Sequence, residues 1–125
     1  MAVDFDKILT AFEAAGLSST AKDRAALEED CVAAARRGWT AASPATPWPD
    51  GAEPAVREYF TEDLTADVLS VHGAGALRWA LFASFATGWL FSMRTRGELD
   101  ELAAYGAFAR LPGFMWMNEE RLTGR

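Results

Sequence analysis

LRWALFASFATGWLFSM, residues 77–93, is the densest run of large apolar side chains in this 125-residue chain. At a helical period, Trp79, Phe82, Ala86, Trp89, Leu90 and Met93 fall on one face, with Leu77, Leu81 and Phe85 on an adjoining one. Ala80, Ser84 and Thr87 line a third face with small side chains. A helix that is apolar nearly all round must be buried nearly all round. The 15 uncharged residues between Arg78 and Arg94 cover only about 22 Å, short of the ~30 Å hydrocarbon core of a bilayer. The sequence therefore predicts a buried central helix over about 76–95, not a membrane span. A strand is disfavoured by the length of the run and its alanine content. Gly88 lowers helix propensity, which a close contact with another helix backbone would explain.

The segments around this helix predict others. Asp4 caps a first helix with Phe5, Ile8, Leu9 and Phe12 on its inner face, stopped by Gly16 with Leu17 making the contact that follows such a stop. Ser18, Ser19 and Thr20 are cap candidates for a second, ending at Gly38, with Leu27, Cys31, Ala34 and Ala35 as its narrow apolar stripe. Residues 40–54, TAASPATPWPDGAEP, form a proline-rich loop, because four prolines break both helix and central strand. Trp48 is expected to pin this loop to the helices. Pro54 suits the start of a third helix, along which Val56, Phe60, Leu64, Val68 and Val71 step on one face. Gly73 and Gly75 separate it from the central helix. Gly97 ends the central helix, and the last clear helix is expected from Glu98 to about Arg110. Its packing face reads Leu99, Leu102, Ala103, Gly106 and Ala109, and Pro112–Gly113 stops it. The whole predicts one all-α domain over 1–125, a compact bundle of about five helices.

Composition limits the function. The net charge of −6 argues against direct nucleic-acid binding, which needs clustered Lys and Arg. The single cysteine, Cys31, allows no internal disulfide. MAVDFDKIL at the N-terminus lacks the basic and apolar regions of a signal peptide, so a cytoplasmic protein is expected. One His and one Cys make no zinc site, and neither paired Glu-x-x-His motifs nor an EF-hand pattern occurs, so no metal or cofactor is expected. Cys31 reads as a small core hydrophobe. PxxP at Pro44–Pro47 has no basic neighbour and reads as a packing strap.

Two sets of residues suggest binding instead. Glu58, Glu62, Asp63 and Asp67 place like charges four residues apart on the third helix, moderated by Arg57 and Arg78, and form the best acidic patch for a basic partner. Phe114, Met115, Trp116 and Met117 follow the proline stop and carry residue types enriched in interface cores. Four consecutive side chains point in different directions, so a second subunit is expected to share in covering them, as in a homodimer; the alternative is a tail wrapped wholly on its own domain. These features predict a small acidic interaction module without catalysis: an adaptor, an accessory or assembly subunit, or an inhibitor of a basic protein surface. The alternative is a small-molecule-binding protein or small enzyme with an aromatic pocket of Trp79, Phe82 and Trp89 and with His72 at its mouth.

Overall fold

The computed structural model describes residues 3–59 and 74–123. Every regular element among them is helical: α1 (Phe5–Ala15), α2 (Arg24–Ala42), α3 (Ala52–Tyr59), α4 (Ala74–Thr95), α5 (Glu101–Met117) and α6 (Glu119–Thr123). The central helix is α4, and residues 80 to 90 are buried without a break. It is apolar on every side because other helices cover it on every side: α2 along one flank, and α1, α5 and α6 on the others.

The closest packing is between α2 and α4. A Cβ placed on Gly38 would overlap the Phe85 carbonyl, and one placed on Gly88 would overlap the Ala35 carbonyl. Each glycine thus lets the other helix's backbone reach van der Waals distance, the geometry in which Cα–H groups point at carbonyl oxygens. Both sit in a small-x-x-x-small pattern, Ala34 with Gly38 and Ser84 with Gly88, which clears a lane for a backbone. Upstream, the Cys31 thiol faces the Ala80 carbonyl at 4.0 Å. With Cys31 at Ala80 toward one end and Trp39 near Phe91, Arg94 and Thr95 toward the other, α2 and α4 run in the same sense. On the α4 flank, the Ser84 and Thr87 hydroxyls donate to the Ala80 and Ala83 carbonyls at 2.7 and 2.8 Å, so the small face stays polar-satisfied while buried.

The other flanks are aromatic. Phe12 of α1 packs edge-on against Phe82 and Phe85 at 5.3 and 5.6 Å between centroids. Phe114 of α5 stacks on Phe5 at 5.3 Å and leans on Phe82 at 6.1 Å. The Arg78 guanidinium caps the Phe12 ring at 5.0 Å, which satisfies the one charge in the central run by a cation–π contact. Leu122 of α6 is fully buried, and Thr123 lies against Gly75 at the start of α4.

Local signals explain several helix ends. Asp4, Asp23 and Asp100 accept from the backbone N–H groups of Lys7, Ala26 and Ala103, each a side-chain N-cap. Gly16 stops α1 at φ 63° and Gly97 turns the chain after α4 at φ 77°, left-handed conformations that cost glycine nothing. Other ends differ from expectation. The cap of α2 is Asp23, while Ser19 instead bonds Asp30 at 2.6 Å. Gly38 does not end α2, which runs on to Ala42, so the proline-rich loop shortens to residues 43–51. Trp48 pins that loop as expected, edge-on to Trp39 at 5.7 Å, and the Trp39 indole N–H donates to the Thr46 carbonyl at 2.8 Å. Gly75 lies inside α4, not before it.

The largest departure is α5, which passes through Pro112 and Gly113 to Met117. Its buried residues are Ala104, Ala107, Leu111 and Met115. Of the face expected from sequence, Leu99 is buried, but Leu102 is 81% exposed and Ala109 faces outward. Among residues expected on the third helix, Val56 is fully buried; Phe60, Leu64, Val68, Val71 and Gly73 lie outside the described residues.

Two predictions follow from this packing. Gly38→Ala or Gly88→Ala forces the two backbones apart and is expected to lower stability by about 3 kcal/mol, at the upper end of overpacking costs. Gly106→Ala, where a Cβ meets nothing within 4 Å, should raise stability by about 0.5–1 kcal/mol through helix propensity. Denaturant midpoints of the three variants test the contrast. Phe85→Ala empties a fully buried ring site and should cost about 3–5 kcal/mol in the same assay; an unchanged midpoint would contradict the core placement.

Candidate interaction surface

The residues of α5 left uncovered form a pattern. Leu102, Tyr105, Ala109, Pro112 and Trp116 are all exposed. Their spacings of three, four, three and four residues keep them on one side of the helix. Met117 and Gly113 widen the strip. Leu102, Tyr105, Trp116 and Met117 are 81, 75, 70 and 87% exposed, the large hydrophobic side chains most open to solvent among the described residues. From Leu102 to Trp116 the strip is about 21 Å long. Arg110 is the one charge between Leu102 and Met117, and its guanidinium lies over the Phe5 ring at 5.7 Å, off the strip.

Both ends of the strip are acidic. Asp100 and Glu101 are exposed at the N-terminal end. At the other end Trp116 and Met117 share an open notch with Asn118, Glu119, Glu120 and Arg121. Arg121 is taken by Glu13, which it meets through two hydrogen bonds of 2.6 and 3.1 Å. Among the described residues, neither Glu119 nor Glu120 has a cationic partner.

The expected tail therefore divides. Phe114 and Met115 cover their own core, Met115 at 3% exposure. Trp116 and Met117 project outward, with Trp116 edge-on to the half-buried Trp79 at 6.2 Å. The proline that was expected to turn the chain lies instead within the exposed strip. Leu102, expected on the packing face, and Tyr105 complete that strip. The three-and-four spacing of Leu102, Tyr105, Ala109, Pro112 and Trp116 carries the signal, which a helix stop at Pro112 hides.

Of the expected acidic patch, Glu58 is exposed at the end of α3; Glu62, Asp63 and Asp67 lie outside the described residues. Arg57 binds Glu29 and Glu53 at 2.7 and 3.4 Å, and Arg78 is occupied by Phe12, so neither is placed on Glu58. Three residues of the expected aromatic pocket are described. Phe82 is fully buried between Phe12 and Phe114, Trp89 is 9% exposed and leans on Phe85 at 6.4 Å, and Trp79 meets Trp116 on another side. His72 lies outside the described residues. Among the described residues, no group of three or more His, Cys, Asp or Glu is placed to hold a metal ion, and no helix is long and apolar enough to cross a membrane. Comparison of the chain with protein families, with curated proteins and with solved structures finds no match.

Cys31 is buried in the α2–α4 contact. Burial pushes its thiol up to about 11; the Ser84 side chain counters part of this, and Asp30 and Glu28 add to it. A thiol so held is a poor nucleophile. It should react with maleimide only as the protein unfolds. Because the folded thiol keeps its proton above the pH at which the unfolded one loses it, stability should fall between about pH 9 and 11, by an amount on the order of 2 kcal/mol. Chemical denaturation of wild type and Cys31→Ala across that range tests this: the variant should lack that part of the slope.

Proposed function

We propose that this chain is a helical protein-interaction module that docks a basic, amphipathic segment of a partner protein on the outer face of α5, as an adaptor, accessory subunit or inhibitor does. The uncovered apolar strip carries this reading. Monomeric proteins seldom expose a contiguous apolar surface of such length without a use for it. Tyr and Trp side chains bury about 150–250 Å² each when covered. Together with Leu102 and Met117 they supply on the order of 600 Å², most of the ~800 Å² that one side of a standard interface contributes. Helix-in-groove recognition uses anchors at this spacing.

Charge selects the occupant. A second copy laid antiparallel would bring Asp100 and Glu101 of one chain beside Glu119 and Glu120 of the other. Laid parallel, it would set each acidic end against itself. Both copies would also carry a net charge of −6. A segment with an apolar stripe and Lys or Arg at its ends meets no such repulsion and finds carboxylates at both ends.

The test uses a synthetic amphipathic Leu/Lys helical peptide with isothermal titration calorimetry. Wild type should bind it, and Leu102→Asp, Met117→Asp should weaken binding by at least tenfold without lowering the thermal midpoint, since both side chains are solvent-exposed. Affinity should fall as salt rises from 50 to 500 mM, because exposed charges are screened beyond about 10 Å at 0.1 M. Equal affinity in the variant, or affinity flat with salt, overturns the reading. Sedimentation of the wild type supplies the remaining arm: a monomer is expected, and a dimer dissolved by the same substitutions would make a second copy the occupant.

A further inference from the structure

A second concavity lies away from the α5 strip, where the end of α4 meets the start of α3. Trp39, Pro49, Gly51, Ala52, Ala55 and Phe91 line it, with Arg94 and Thr95 at its edge, as a groove of about 400 Å³ open to solvent. That volume falls in the range of small-molecule sites. Its walls are fixed before any ligand arrives. The Trp39 indole is held by its hydrogen bond to Thr46 and by the edge of Trp48. Phe91 is held by Phe108 at 5.5 Å. Arg94 is the only charged residue lining the groove, and among the described residues it forms no ion pair. Arg96, two residues on, is engaged with Glu98 at 2.7 Å.

We propose that this groove binds a small carboxylate with an apolar body, the chain or ring lying on Phe91, Ala52 and Ala55 over the buried edge of Trp39 and the carboxylate paired with Arg94. Charge complementarity supports that occupant: a guanidinium without an ion-pair partner among the described residues, at the edge of an apolar groove, matches one anionic head on an apolar stem. The end of a helix is ordinarily unfavourable to anions. Here the Ser92, Met93 and Arg94 carbonyls accept from the backbone N–H groups of Arg96, Glu98 and Gly97 at 3.1, 2.9 and 3.0 Å, so the last turn directs these oxygens at backbone partners. Glu53, on the far side, is drawn to Arg57. The groove shares no lining residue with the α5 strip, so this inference stands apart from the proposed function.

Octanoate is the probe, and amide and indole N–H chemical shifts of the full chain are the readout. Titration should shift the Trp39 indole and the Thr95 amide together and saturably. Arg94→Gln should weaken octanoate at least tenfold, Arg94→Lys less, and octanol should bind wild type and Arg94→Gln alike. Arg94 is exposed, so thermal midpoints of both variants should match wild type. No saturable shift up to 20 mM octanoate, shifts confined to α5, or equal octanoate affinity in Arg94→Gln would each overturn the proposal.

Discussion

The backbone contact between α2 and α4 at Gly38 and Gly88 is the constraint on which the other packing depends. It brings two helix axes closer than side chains allow, and it does so along the small face of α4. With α2 lodged there, the large residues of α4 have to find cover on the remaining sides. Phe82 and Phe85 take it from Phe12, and Phe114 extends the same aromatic cluster to α5. A side chain at either glycine would move α2 outward and open the lane that Cys31, Ala34 and Ala35 now close. Close packing propagates such a shift through the core, since interiors at crystal-like density have little space to absorb it.

The same contact explains what was legible in the sequence and what was not. The buried central helix, its small face and the close approach at Gly88 followed from periodicity and from side-chain size. So did the Asp4 cap and the Gly16 stop. Gly38 is ambiguous in sequence because glycine has two uses in a helix, as a stop through conformational freedom and as a gap through absence of a side chain. Only the first is a local property. The second depends on Phe85, 47 residues away. The counterpart of Gly88 was nonetheless written on α2, where Cys31, Ala34, Ala35 and Gly38 are small residues at three- and four-residue steps.

Charges show a related division. The acids Glu13, Glu29 and Glu53 are tied to Arg121 and Arg57 across or along helices, and solvent-exposed pairs of this kind add little to stability. Their importance here is subtraction. They remove specific charges from circulation, so that the carboxylates at the ends of the α5 strip and the guanidinium of Arg94 stand without ion-pair partners among the described residues. Which charges are left over is a tertiary outcome. Sequence spacing alone had pointed to Glu58 and its neighbours.

Pro112 is the remaining case, and it separates local cost from global gain. A proline inside a helix removes one backbone hydrogen bond and crowds the preceding turn, at a cost of about 3 kcal/mol or more. The helix continues because Leu111, Phe114 and Met115 flank the proline on the inner side, and burying each such side chain contributes about 1.5–3 kcal/mol. Ending α5 at Arg110 would release all three from the core and uncover Phe5 and Phe82. The proline itself sits on the outer face, where its ring meets solvent. Along that face it stands between Ala109 and Trp116, an apolar residue in an apolar row. A polar residue there would have restored the hydrogen bond and shielded the strip from unintended contacts. The row therefore keeps apolar character at a position where backbone energetics favour almost any other side chain, which accords with the docking face proposed for α5.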